Sequence, residues 1–170
     1  MGGVQYVRRA GSDPAFLLKA MSEAGGELRD ILAGQPLGLL YEPGEPPDED
    51  WCLMGIAYHL RDVEERVMDQ LRPMILQTNP EIPHVDMDDI PFREDYEGAD
   101  DEDLMDAFYY FRRRTAYLLW DLSERDWERK GIHPYRGPMS VMDIARELYQ
   151  HDLEHLWQAR RIVDAKMRAR

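Results

Sequence analysis

Cysteine is almost absent from this chain. Cys52 stands alone, so no disulfide can form within it, and a reducing cytoplasm is its simplest expected home. Long apolar runs are missing too: nothing approaches the ~20 residues that span a bilayer, so no membrane partner is expected. Met1 to Arg9 hold no apolar signal-peptide core, and no targeting segment is expected. A basic excess is also lacking. Lys and Arg number 21 against 34 Asp and Glu, for a formal net charge of −13. Phosphate backbones repel such a chain, so no nucleic-acid partner is expected. Neither a Gly-x-Ser-x-Gly elbow nor a phosphate-cradling glycine loop occurs, which argues against the commonest serine-nucleophile and nucleotide chemistries.

What is present suits one domain over residues 1–170, with 44% hydrophobic residues to build a core. The charge is uneven. Acid gathers between Asp86 and Asp106, whereas Arg112-Arg113-Arg114 and the C-terminal Arg160 to Arg170 are basic, and most of it reads as solvated surface.

Hydrophobic spacing predicts four helices. Asp13 caps the first, with Pro14 at its first position and a seam of Leu17, Met21, Ala24, Leu28 and Ile31. Gly25-Gly26 weakens its middle, and Gly34 marks its stop. The second starts near Asp48-Glu49-Asp50, and its seam reads Cys52, Ile56, His59, Val63, Val67, Gln70, Met74. Pro73 should kink or end it. A loop fills 78–100, unusually long unless it crosses a bundle or covers a site. The third helix covers Asp101 to Leu122 with a seam of Leu104, Phe108, Phe111, Thr115, Leu118 and Leu122. A proline-stiffened connector, Gly131 to Pro138, leads to Ser140, which caps the fourth with Asp143 completing a capping box. That seam is Ile144, Leu148, His151, His155, Gln158, Ile162. Without a convincing strand pattern, the expected fold is an all-α four-helix bundle. The long second connector predicts that helices 2 and 3 run parallel, joined by a crossover.

Histidines break two of these seams. His151 and His155 are one turn apart and point the same way. They lie ~16 and ~22 Å along the fourth helix, and His59 lies ~15 Å along the second. All three therefore sit near mid-bundle and face inward. Three neutral imidazoles can hold a divalent metal and leave a position open for water or substrate. The plainer reading makes each a core histidine bonded to a carbonyl or carboxylate. Leaving three such rings unsatisfied would cost roughly 1–3 kcal/mol each. As metal ligands with ordinary pKa values of ~6.5, they predict metal loss as pH falls toward and below ~6.

Metal-bound imidazoles usually hand their other N–H to an acceptor. Asp62, Asp152 and Gln158 are placed for this, as are Glu147 and Glu154. The zincin motif does not fit, because Asp152 stands where it needs glutamate. A di-iron carboxylate site does not fit either, because no seam carries glutamate. Cys52 reads as a small buried hydrophobe. His84 and His133, in loops beside prolines, read as surface or loop-packing residues.

The segments Trp51…Tyr58-His59-Leu60-Arg61-Asp62-Val63-Glu64, Gly131-Ile132-His133-Pro134…Gly137-Pro138-Met139-Ser140 and His151-Asp152-Leu153-Glu154-His155-Leu156-Trp157-Gln158 resemble the DinB-like (DinB/YfiT) superfamily over roughly residues 13–165. The resemblance implies an up-down-down-up bundle and a divalent metal, often zinc or nickel, on His59, His151 and His155. It also implies frequent homodimers and relatives that use low-molecular-weight thiols such as bacillithiol or mycothiol.

The leading expectation is therefore a metal-dependent S-transferase or isomerase that joins a thiol to a small electrophilic substrate. Arg112 would meet an anionic substrate group, although a solvent-facing arginine is the plainer reading. Tyr58, Tyr109 and Tyr149 would line the pocket unless they simply pack. No residue is singled out as catalytic. A metal-dependent hydrolase is the alternative from the same site. A non-enzymatic metal- or ligand-binding stress-response bundle, with a sealed fourth metal position, is the alternative from another class.

Overall fold

The computed structural model describes residues 13–170. Among them, long helices run over α1 (Pro14–Ala33), α3 (Leu53–Leu76), α5 (Asp101–Trp120) and α7 (Val141–Arg168), with single turns at α2 (Leu37–Leu40), α4 (Arg93–Tyr96) and α6 (Glu124–Trp127). A hairpin of β1 (Lys130–His133) and β2 (Gly137–Ser140) precedes α7.

The caps are local. The Asp13 carboxylate accepts from Ala15 and Phe16 N–H to start α1, and Ser140 and Asp143 form the reciprocal capping box of α7. The start of α3 departs from the expected position. Asp48 is buried and held by both guanidinium arms of Arg161 at 2.9 Å, so it serves an ion pair across the bundle end. Cys52 caps α3 instead, its Sγ accepting from Gly55 N–H at 3.3 Å. Pro73 does not stop α3. The helix runs on to Leu76, where the Gln77 N–H closes onto the Pro73 carbonyl at 2.8 Å.

The long helices form a ring in which α5 and α7 each pack against both α1 and α3. Residue numbers run oppositely across α1 and α5: Arg112 bonds to the Met21 carbonyl, while Phe108 lies against Gly25. Along α3 and α5 they run together. Leu53 to Leu60 share a cluster with Leu104 to Phe108, and Val67 and Leu71 share one with Leu119. The order is thus up-down-down-up, with α3 and α5 parallel and joined by the crossover. Gly25 has a packing reason, since a Cβ there would meet the Phe108 ring at 2.9 Å.

The proline-stiffened connector forms the hairpin, a local addition to the expected all-α four-helix bundle. Its strands are too short to stand alone. They hold because the crossover pairs with β1, Ile82 N–H to Ile132 O at 3.0 Å and Ile132 N–H to Pro80 O at 2.7 Å.

The apolar core falls into two clusters, one around Leu17, Met21, Val67 and Leu148, the other around Leu28, Leu53, Ile56 and Leu156. A belt of buried polar residues separates them: His59, Glu64, Arg112, His151, Asp152 and His155.

Candidate metal centre

His59 comes from α3, and His151 and His155 come from successive turns of α7. These two helices run antiparallel, so mid-height on one meets mid-height on the other. All three side chains are buried. Each offers one ring nitrogen to a common point, with the three atoms within 4.8 Å of one another. The Nε2 of His151 lies 2.9 Å from that of His59 and 3.1 Å from that of His155. Trp51 closes over the group, its ring 5.2 Å from His59 and 5.0 Å from His155.

The electrostatics keep these rings neutral. Burial lowers the pKa of His59, takes His151 down to about 3 and takes His155 down to about 4. The second cause differs: neighbouring imidazoles depress His151 and His155 further, while hydrogen bonding to the Met87 carbonyl partly supports His59. The Gln158 carboxamide oxygen accepts from His155 Nδ1 at 2.8 Å. That bond places the His155 proton on Nδ1 and turns the Nε2 lone pair toward the shared point. Converging neutral imidazole lone pairs with a tautomer fixed from behind suit a divalent transition metal. Among the described residues, no carboxylate joins the donor set.

The other residues singled out from sequence separate into distinct surroundings. Asp62 pairs with Arg66 at 3.0 Å, and Glu147 pairs with Arg136. Glu154 accepts from Gln150. Asp152 follows His151 but turns from the histidines to Arg112, which it holds through both oxygens at 2.7 and 3.0 Å. Arg112 is therefore no surface residue. It is 2% exposed and also binds Glu64 at 2.8 Å and the Met21 carbonyl. Tyr149 is buried within the lower apolar cluster, and Tyr58 rests against Tyr96 under Arg61. Tyr109 packs on Phe108.

Burial works against the Arg112 charge, but Asp152 and then Glu64 more than offset it, and its pKa is raised. Burial pushes Asp152 up to about 6 despite the pull of Arg112. The two shifts pull opposite ways on one pair. The bidentate geometry favours the ionised pair at neutral pH, which a value of about 6 also allows.

Glu64 and the inward turn of Arg112 were missed, although the spacing held a signal. Glu64 is four residues after Leu60, Arg112 four after Phe108 and Asp152 four after Leu148. Each stands at helical spacing from a core residue, on three helices and at one height. His133 takes the packing alternative of its reading: it is 4% exposed and 3.2 Å from His84.

This ring of helices with inward histidines matches the DinB superfamily model over residues 20–159, and the chain belongs to that superfamily. Among solved structures it is similar to YfiT from Bacillus subtilis, described as a probable metal-dependent hydrolase with an unusual four-helix bundle topology. That likeness has a TM-score of 0.76 at 15% identity and covers 92% of this chain and 87% of the other. No curated protein matches.

Proposed function

We propose that this chain is a metal-dependent enzyme acting on a small molecule, with His59, His151 and His155 holding a divalent metal such as zinc or nickel. The observation that carries the reading is the donor set: three buried, neutral, converging imidazoles, one with its tautomer fixed by Gln158. Bound there, a divalent ion supplies Lewis acidity, polarising a carbonyl or lowering the pKa of a proton-bearing donor. The chain's own residues do the rest. Gln158 orients His155, Trp51 excludes water above the rings, and the bundle holds the three nitrogens in place.

Within this reading, hydrolysis fits better than thiol transfer. The cation expected to meet an anionic substrate group, Arg112, is buried and paired with Asp152 and Glu64. The charges acting on His59 from the crossover are Asp89, Asp86 and Asp88, and Asp88 also acts on His155. An acidic rim repels an anionic thiol and suits a neutral or cationic substrate. YfiT's description supports the same choice. The test is a paired screen of the zinc- and nickel-loaded protein, with esters and amides in one arm and thiol transfer to electrophiles in the other. Metal-dependent turnover in the first arm is expected. Turnover confined to the thiol arm would overturn the hydrolytic reading.

A further inference from the structure

The crossover approaches the histidines with its backbone, not with a side chain. The Met87 carbonyl oxygen lies 3.1 Å from His59 Nε2 and 3.0 Å from His151 Nε2. These spacings match those between the imidazole nitrogens themselves, 2.9 and 3.1 Å. Four donors around one tetrahedral zinc-like ion, at bond lengths of about 2.0–2.1 Å, stand roughly 3.3 Å apart. The oxygen thus stands at donor spacing from two of the three nitrogens, His59 Nε2 and His151 Nε2.

Its aim is fixed by the chain around it. Asp88 N–H bonds to Asp86 Oδ1 at 2.9 Å. The N–H and C=O of one trans peptide point in opposite directions. Anchoring the Asp88 N–H outward on Asp86 thus turns the Met87 C=O inward. The segment leading there is tied down repeatedly. Gln70 of α3 donates to the Pro83 carbonyl at 2.8 Å, and Ile82 pairs with Ile132. His133 adds a directional tie. Its Nδ1 accepts from Tyr135 and Arg136 N–H, so its proton is on Nε2 and is donated to His84 Nδ1 at 3.2 Å. Ile82 and Val85 are buried.

We infer that the main-chain carbonyl of Met87 is the fourth donor of the centre, so that the resting site is closed by three nitrogens and one oxygen and is opened only when an incoming ligand displaces the crossover. This rests on the metal-centre reading and adds to it a gate made of backbone. A neutral carbonyl is a weaker donor than a carboxylate or thiolate, which suits a ligand meant to leave.

The test uses the full chain loaded with cobalt(II), with azide as the incoming ligand and the visible cobalt spectrum as the readout. Two variants separate charge from geometry. Asp86→Asn removes the negative charge but keeps an oxygen for the Asp88 N–H, whereas Asp86→Ala removes both. Asp86→Ala should bind azide more tightly than Asp86→Asn by up to about tenfold, the change expected when one modest hydrogen bond stops holding the competing donor. Its azide-free spectrum should also differ from that of Asp86→Asn. Cobalt held by the histidines, with equal azide affinity and superimposable spectra in the two variants, would overturn the carbonyl's role and leave the metal centre standing. Failure to take up cobalt, or uptake indifferent to His155→Ala, would overturn both.

Discussion

Two buried polar clusters meet at adjacent residues of α7, and they solve opposite problems. His151 belongs to one and Asp152 to the other. The Arg112 cluster contains its own cation: a guanidinium faces two carboxylates and one carbonyl, drawn from α5, α3, α7 and α1. The histidine cluster converges acceptor lone pairs and contributes no positive charge of its own while its rings stay neutral. Buried donors and acceptors need partners. The first cluster balances its charges within the chain, with only Glu64 Oε1 and Arg112 Nε left unbonded, and it fixes how the helices align. In the proposed reading, the second is completed by a metal brought from outside. A polar belt across a core can thus be part girder and part receptacle.

The largest expected effect breaks the first cluster. Arg112→Met strands two buried carboxylates and should destabilise the fold by about 3–5 kcal/mol, read from denaturant unfolding. Replacing Arg112, Glu64 and Asp152 together by apolar residues should recover most of that loss. If Arg112→Met costs nothing, the cluster is not aligning the helices.

Next in size is the second cluster, where the damage should fall on metal rather than fold. His151→Ala or His155→Ala should abolish tight uptake of zinc, because two nitrogens no longer make a stable site. Helical circular dichroism should persist. Gln158→Leu, which releases only the tautomer of His155, should weaken zinc by about 10–100-fold, measured by chelator competition. Equal zinc affinity in Gln158→Leu and the parent chain would detach Gln158 from the site.

Acid should separate the clusters again. His151 and His155 have folded pKa values of about 3 and 4, below the unfolded 6.5, so between these limits the unfolded chain binds more protons. Their contribution to metal-free stability is whole above pH 6.5 and falls as pH drops, by about 1.4 kcal/mol per pH unit for each proton. Asp152 works in the opposite sense. Its folded pKa of about 6 lies above the unfolded 3.8, so its contribution is present at low pH and lost as pH rises through 6. Unfolding of metal-free protein at pH 7, 6, 5 and 4 should show a net decline, shallower than two histidines alone would give. Zinc should survive below the pH of ~6 expected of ordinary imidazoles, because burial already opposes the competing protons. Release at pH 6 or above would show that the rings are not held neutral.

Asp62→Asn should do least. It touches only a surface pair with Arg66 and should shift stability by under about 1 kcal/mol. A large loss of zinc there would restore Asp62 as a partner of His59.

The long helices, their parallel middle pair and the inward histidines were legible in the sequence because each rests on periodicity or on residues a turn apart. Gln158 was legible for the same reason, one seam step beyond His155. What failed depended on partners distant in sequence. Asp48 looked like a helix-start acid until Arg161 reached it from α7. Arg112 looked like a solvent-facing arginine because periodicity cannot reveal that Glu64 and Asp152 wait on other helices. The hairpin was hidden because its third partner is the crossover. The approach of Met87 carries no residue-type signal at all, since every residue has a carbonyl.

Parallel α3 and α5 oblige the chain to travel back along the bundle between Leu76 and Asp101. Neighbouring antiparallel helices need only end turns, which would leave the flank at mid-height bare. Here the connectivity itself drapes a covering over the reactive level. Lengthening such a connection costs only about 0.6 kcal/mol per doubling. The covering can therefore be rewritten as an exchangeable cassette while the helices keep the histidines in register. For an engineer, residues 86–92, past the buried Ile82 and Val85 that anchor the crossover, are where a new substrate preference could be grafted with the scaffold left untouched.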